Sequence, residues 1–149
     1  MTSSLPSSNI LLNPLPEIRA ALKSNSFGIS SSRIIEDNSF PITQQDLESV
    51  KDEIRSTGMT SPRVVGRADI MLRQGEGMVG VRLDRSGWTV ESIQKATPQI
   101  HPKLDRTYES LESLLIDLSP SYVKEMNNEI WKRFGMDKNG GDEEENESI

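Results

Sequence analysis

The sequence predicts an α+β domain: a short helix, a three- to four-stranded antiparallel meander sheet, and two C-terminal helices packed on one face of that sheet. Three observations predict it. Apolar and polar residues alternate through Met78–Leu83, with Val79, Val81 and Leu83 on one side and Gly80 and Arg82 on the other, the period-two pattern of a half-buried antiparallel strand. Apolar residues recur at helical spacing before that stretch, at Leu47, Val50 and Ile54, and after it, at Leu111, Leu114, Leu115 and Leu118. Glycine-containing turns separate the strand-like runs, and Thr97-Pro98 and His101-Pro102 mark a crossover loop before the last helices.

Taken in chain order, residues 1–39 are rich in serine, asparagine and proline, a composition that buries too little apolar surface to offset its ordering entropy, and they are expected to be a disordered tail. Inside that tail Leu11, Leu12, Leu15, Ile18 and Leu22 step by three or four residues, which suits either a docking or export segment that folds on a partner or a solvated stretch that touches nothing. The folded domain is expected over 40–135. Thr43 with Asp46 three residues on forms a capping box, and Gly58 stops the helix they open. Strands follow over Arg63–Leu72, Met78–Leu83 and Trp88–Ile93, with turns at Gly75-Glu76-Gly77 and Asp84-Arg85-Ser86-Gly87; Gly66 reads as a bulge glycine. Ser119-Pro120 ends one C-terminal helix and starts the next, with serine as the N-cap and proline in the first turn. The last helix carries Tyr122, Val123, Met126, Ile130, Trp131 and Phe134 before Gly135, an arc wider than one buried stripe needs. Residues 136–149 have the composition of an acidic disordered tail.

Composition narrows the function. The 149 residues carry 17 Lys and Arg against 23 Asp and Glu, a formal charge of -6, which opposes nucleic acid or an anionic membrane as the main partner. Five of those acids fall in the last eight residues, at Asp142, Glu143, Glu144, Glu145 and Glu147. With no cysteine, disulfides, thiolate metal sites and cysteine nucleophiles are excluded, and a cytoplasmic or nuclear setting is expected. No apolar run approaches the roughly 18 to 20 residues that span a bilayer, and the start at Met1-Thr2-Ser3-Ser4 lacks the charge of a secretory signal. The lone histidine, His101, sits in a loop, no glycine run cradles a phosphate, and Asp52-Glu53 flank basic residues on a helix surface. The sequence therefore predicts no catalytic residue, cofactor or metal; a small hydrolase or isomerase would need a polar pocket around His101.

Two segments together resemble the GSKIP domain, named for the glycogen synthase kinase 3 beta interaction protein and found also in the large clustered-mitochondria proteins. One is Val81-Arg82-Leu83-Asp84-Arg85-Ser86-Gly87-Trp88-Thr89-Val90; the other runs from Tyr108 to Tyr122 and contains Ser113-Leu114-Leu115-Ile116-Asp117-Leu118-Ser119-Pro120-Ser121-Tyr122. The resemblance covers roughly 42–135. It implies a monomeric, non-enzymatic adaptor that binds and modulates a protein kinase of the glycogen synthase kinase 3 type through its last helix, with Phe134 at the key apolar position and Ile130, Trp131 and Arg133 in the docking surface. The pattern departs just afterwards, where Gly135 stops the helix and Asp137 replaces an apolar residue. Small members of the family also anchor the regulatory subunit of cyclic-AMP-dependent kinase through the first helix; the narrow stripe of Leu47, Val50 and Ile54 argues against that partner here. The alternative is a structural or assembly module of the clustered-mitochondria type that holds another protein by its sheet edge or tails.

Overall fold

The structure, a computed structural model, describes residues 13–135. In chain order it comprises α1 (Pro14–Ser24), a 3-10 turn (Ser26–Gly28), β1 (Ile29–Phe40), α2 (Gln44–Thr57), β2 (Val65–Leu72), β3 (Met78–Asp84), β4 (Gly87–Gln94), a second 3-10 turn (His101–Lys103), β5 (Thr107–Tyr108), α3 (Leu111–Leu118) and α4 (Pro120–Arg133). The sheet runs β1-β2-β3-β4-β5 with every pair antiparallel. The expected α+β architecture is present, with its meander and its two C-terminal helices. The sheet has five strands where three or four were expected, because β1 and the two-residue β5 extend it at both edges.

The largest correction concerns the segment expected to be disordered. Its residues 14–39 form α1 and all of the 12-residue β1 but Phe40, and a domain boundary at residue 40 would cut both away; Leu11 and Leu12, like the acidic stretch 136–149, lie outside the described residues. Asn13 caps α1 by accepting the Leu15 N–H at 3.2 Å, and Pro14 takes the first helical position, where a missing N–H costs nothing. Ile18 and Leu22, four residues apart on one face, are buried against the sheet. The leucine and isoleucine spacing thus serves the protein's own core, and neither the partner-induced helix nor the solvated tail describes it. Low average hydrophobicity misled because β1 is an edge strand whose outward residues are free to be serine and arginine.

The core lies between the helices and the inward face of the sheet. Ala68, Ile70 and Leu72 of β2, Val79, Val81 and Leu83 of β3, and Trp88 and Val90 of β4 meet Leu111, Leu114, Leu115 and Leu118 of α3 there. Gly66 pairs with Leu83 in an uninterrupted β2–β3 ladder and, on its other side, faces the register shift between Ile35 and Phe40, so the bulge lies beside Gly66 with its extra residues on β1. Residue 66 is glycine because α1 lies directly on it: a Cβ there would stand 2.6 Å from Ile18 Cδ1 and 2.9 Å from Pro14 Cβ. In α2 the capping box forms as expected, with Asp46 N–H donating to Thr43 Oγ1 at 3.0 Å and Thr43 N–H to Asp46 Oδ2 at 3.3 Å; Gly58 closes the helix at φ 78°.

The crossover from β4 to α3 is pinned at both ends. Ile100 is fully buried, and Asp117 on α3 accepts from Lys103 Nζ at 2.9 Å, Arg106 at 3.4 Å and the Tyr108 hydroxyl at 2.6 Å. The Tyr108 hydrogen bond and the two cations hold the Asp117 carboxyl below the usual carboxylate range. Burial and the neighbouring carboxylate push Tyr108 up to about 12. A carboxylate lowered by folding contributes stability that is complete above its unfolded pKa, near 3.9, and lost as the pH falls through the folded value. Asp117→Asn is therefore expected to flatten the acid side of the stability curve below about pH 4, read as urea midpoints across a pH series; an unchanged acid limb would show that this network is idle.

Candidate protein-docking surface

The candidate surface is built on α4, and the helix begins with strong fixing. Ser119 ends α3 through its N–H to Leu115 O at 2.9 Å and caps α4 by accepting the Tyr122 N–H at 3.0 Å. Its buried hydroxyl donates to Glu76, which sits in the β2–β3 turn, and the other oxygen of that carboxylate accepts the Ser121 N–H at 2.9 Å. A glutamate from this turn therefore supplies negative charge and two acceptor positions at the N-terminus of the helix, where unsatisfied N–H groups and the helix dipole favour them. Tyr122 locks the same turn from the other side: its hydroxyl donates to Asn25 at 2.5 Å, its ring stacks at 5.4 Å on Phe27, and a Cβ on Gly28 would stand 2.4 Å from its ring.

Beyond this anchored turn the apolar row leaves the body. Tyr122, Met126, Ile130 and Phe134 recur every four residues, and at 3.6 residues per turn such a row swings about 40° around the axis at each step. Exposure follows that drift, from 1% at Tyr122 through half-buried Met126 to 44% at Ile130 and 73% at Phe134. Trp131 is 37% exposed and Arg133 is exposed. Ile130, Trp131 and Phe134 are thus exposed and not packed beneath the sheet. The four predicted residues occupy the last turn and a half of one helix; Phe134 itself caps the end, its N–H donating to Ile130 O at 3.2 Å. Sequence reasoning missed Glu76, Phe27 and Asn25, which hold α4 in place. Glu76 lies 43 residues before Ser119, so no local pattern connects them.

The other residues singled out by sequence fall elsewhere. Val50 is fully buried while Leu47 and Ile54 are half-buried, so the body takes up the stripe of α2. His101 is exposed at the start of its 3-10 turn. Among the described residues no cluster of three or more histidine, aspartate or glutamate side chains is arranged to hold a metal, and no helix is long and apolar enough to cross a membrane.

Alongside α4, Phe27, Tyr122, Met126 and Ile130 floor an open groove of about 380 Å³, with Glu112, Glu129 and Arg133 on its rim. In comparison with known families, the model described as the GSKIP domain matches residues 32–136. That match begins inside β1 and leaves α1 outside it. No curated protein and no solved structure gives a significant match.

Proposed function

The chain belongs to the GSKIP domain family, a family of protein-binding adaptors, and from that premise we propose that it binds and modulates a protein kinase of the glycogen synthase kinase 3 type through α4. The observation that carries this reading is the exposed end of that helix. Ile130, Trp131 and Phe134 present large apolar side chains on an arc that the sheet does not cover, on a helix whose first turn is rigidly fixed. A helix laid into a partner's groove by such anchors obtains most of its affinity from a few desolvated aromatic contacts. Arg133 beside them supplies a cation for an acidic group on the kinase. In this reading the protein acts as a monomeric adaptor in the cytoplasm or nucleus and performs no reaction itself.

The test uses the full chain and a purified kinase of this type. Phe134→Asp places a charge in the centre of the contact and is expected to weaken binding by about 100-fold or more, in line with the loss of an aromatic anchor. Trp131→Ala is expected to weaken it by about tenfold. Because both side chains are exposed, thermal melting followed by circular dichroism should be unchanged. Kinase binding that survives both substitutions would sink the assignment of α4.

One observation favours the assembly-module alternative: β1 is 12 residues long and, among the described residues, is the edge of the sheet, its outer side paired with no other strand. An extended segment of a partner would add there by strand pairing. Substitutions on α4 would leave such a complex intact, which separates the two readings.

A further inference from the structure

The groove beside α4 is not used by the helix-docking reading, yet it shares Ile130 and Arg133 with it. Its charges are not equivalent. Glu129 is answered within its own helix by Lys132 at 3.6 Å. Arg133 lies eleven residues beyond Tyr122, which at 1.5 Å rise per residue places the two backbone positions roughly 16 Å apart along the axis. Glu112, exposed in the first turn of α3, stands at the Tyr122 end, where its charge adds to burial in raising the Tyr122 hydroxyl's pKa. No cation among the described residues forms an ion pair with it. The groove thus combines an apolar floor, a tilted pair of aromatic rings and an unpaired carboxylate at one end.

We infer that this groove receives an arginine side chain of the same kinase partner, its aliphatic stem along Met126 and Tyr122, its guanidinium between the Phe27 ring and the Glu112 carboxylate. A lysine or arginine stem covers apolar surface while its head keeps a charged contact, and a guanidinium is attracted both to an aromatic face and to a carboxylate. An acidic residue would be repelled at the Glu112 end, and a purely apolar one would desolvate the carboxylate without compensation. Continuity with the exposed arc of α4 makes the groove a second contact of one interface. The inference rests on the kinase-docking reading proposed above.

The experiment measures the affinity of the full chain for the purified kinase, unsubstituted and as Glu112→Gln, Glu112→Arg and Phe134→Asp, at two salt concentrations. Expected is about a tenfold loss for Glu112→Gln with a weaker salt dependence, as removal of one charge-assisted contact gives, and a loss of 100-fold or more for Glu112→Arg, with melting temperatures unchanged. If Phe134→Asp loses binding while both Glu112 variants bind as the parent does, the arginine contact is wrong and the helix reading stands. If the parent captures no kinase, both fall together. If sedimentation shows the parent self-associating and Glu112→Arg abolishing only that, the groove's occupant is a second copy and the inference is overturned.

Discussion

Replacing Glu76 by alanine is expected to destabilise the domain by about 3 kcal/mol, the sum of two buried donors left unmade and the lost charge at a helix N-terminus. The carboxylate accepts from the Ser119 hydroxyl and the Ser121 N–H in a site where Glu76, Ser119 and Ser121 are all buried, so water does not readily replace it. Its backbone also belongs to the connection: Glu76 N–H donates to Arg73 O at 3.1 Å and Glu76 O accepts from Thr97 at 3.0 Å. One residue therefore joins the β2–β3 turn, the loop after β4 and the start of α4. Glu76→Gln keeps one acceptor but turns an amide toward a donor, and is expected to cost about half as much. Glu76→Asp retains the charge but is one methylene short. Urea unfolding of the full chain reads all three; a change below about 0.5 kcal/mol for alanine, the scatter of ordinary surface substitutions, would show that the contact is dispensable. If it is not, the same variants should weaken kinase binding without touching the docking surface, since α4 loses the fixing of its first turn.

The second large effect is expected from α1. Ile18 is fully buried over Gly66, so Ile18→Ala should cost about 3 kcal/mol, within the usual range for truncating a buried isoleucine. Deleting residues 1–28 goes further, because it uncovers the inward face of β2, including Gly66, Ala68 and Ile70, and removes Asn25, Phe27 and Gly28 from Tyr122. Against a typical total of about 5–15 kcal/mol, that loss is expected to abolish cooperative unfolding. The practical consequence concerns domain boundaries: a fragment beginning at residue 32, where the family match begins, lacks α1 entirely. A melting curve of residues 29–149 that remains sharp and close to that of the full chain would show that α1 is an appendage.

Much of this was legible in the sequence. The period-two run of β3, the turn-bounded strand runs of β2 and β4, the Thr43–Asp46 capping box, the Gly58 stop and the Ser119-Pro120 corner are local signals, each complete within a few residues, and each appears in the structure where its chemistry placed it. So does the wide apolar arc of α4, because a helix with more apolar positions than its packing face requires must leave some outside. The sequence could not say which ones. Tyr122 and Phe134 look alike in a pattern of hydrophobicity; only the position of the body against the first turn, and the slow rotation of an i, i+4 row around the axis, bury the former and expose the latter. Residues 14–40 failed for a related reason. A helix that buries three residues, Pro14, Ile18 and Leu22, and a strand that lies at an edge can be polar on average, and their order comes from the sheet they complete. Glu76 marks the limit: between two glycines in a turn it carries no signal of its own, and its role exists only because the chain returns 43 residues later to place Ser119 and Ser121 beside it.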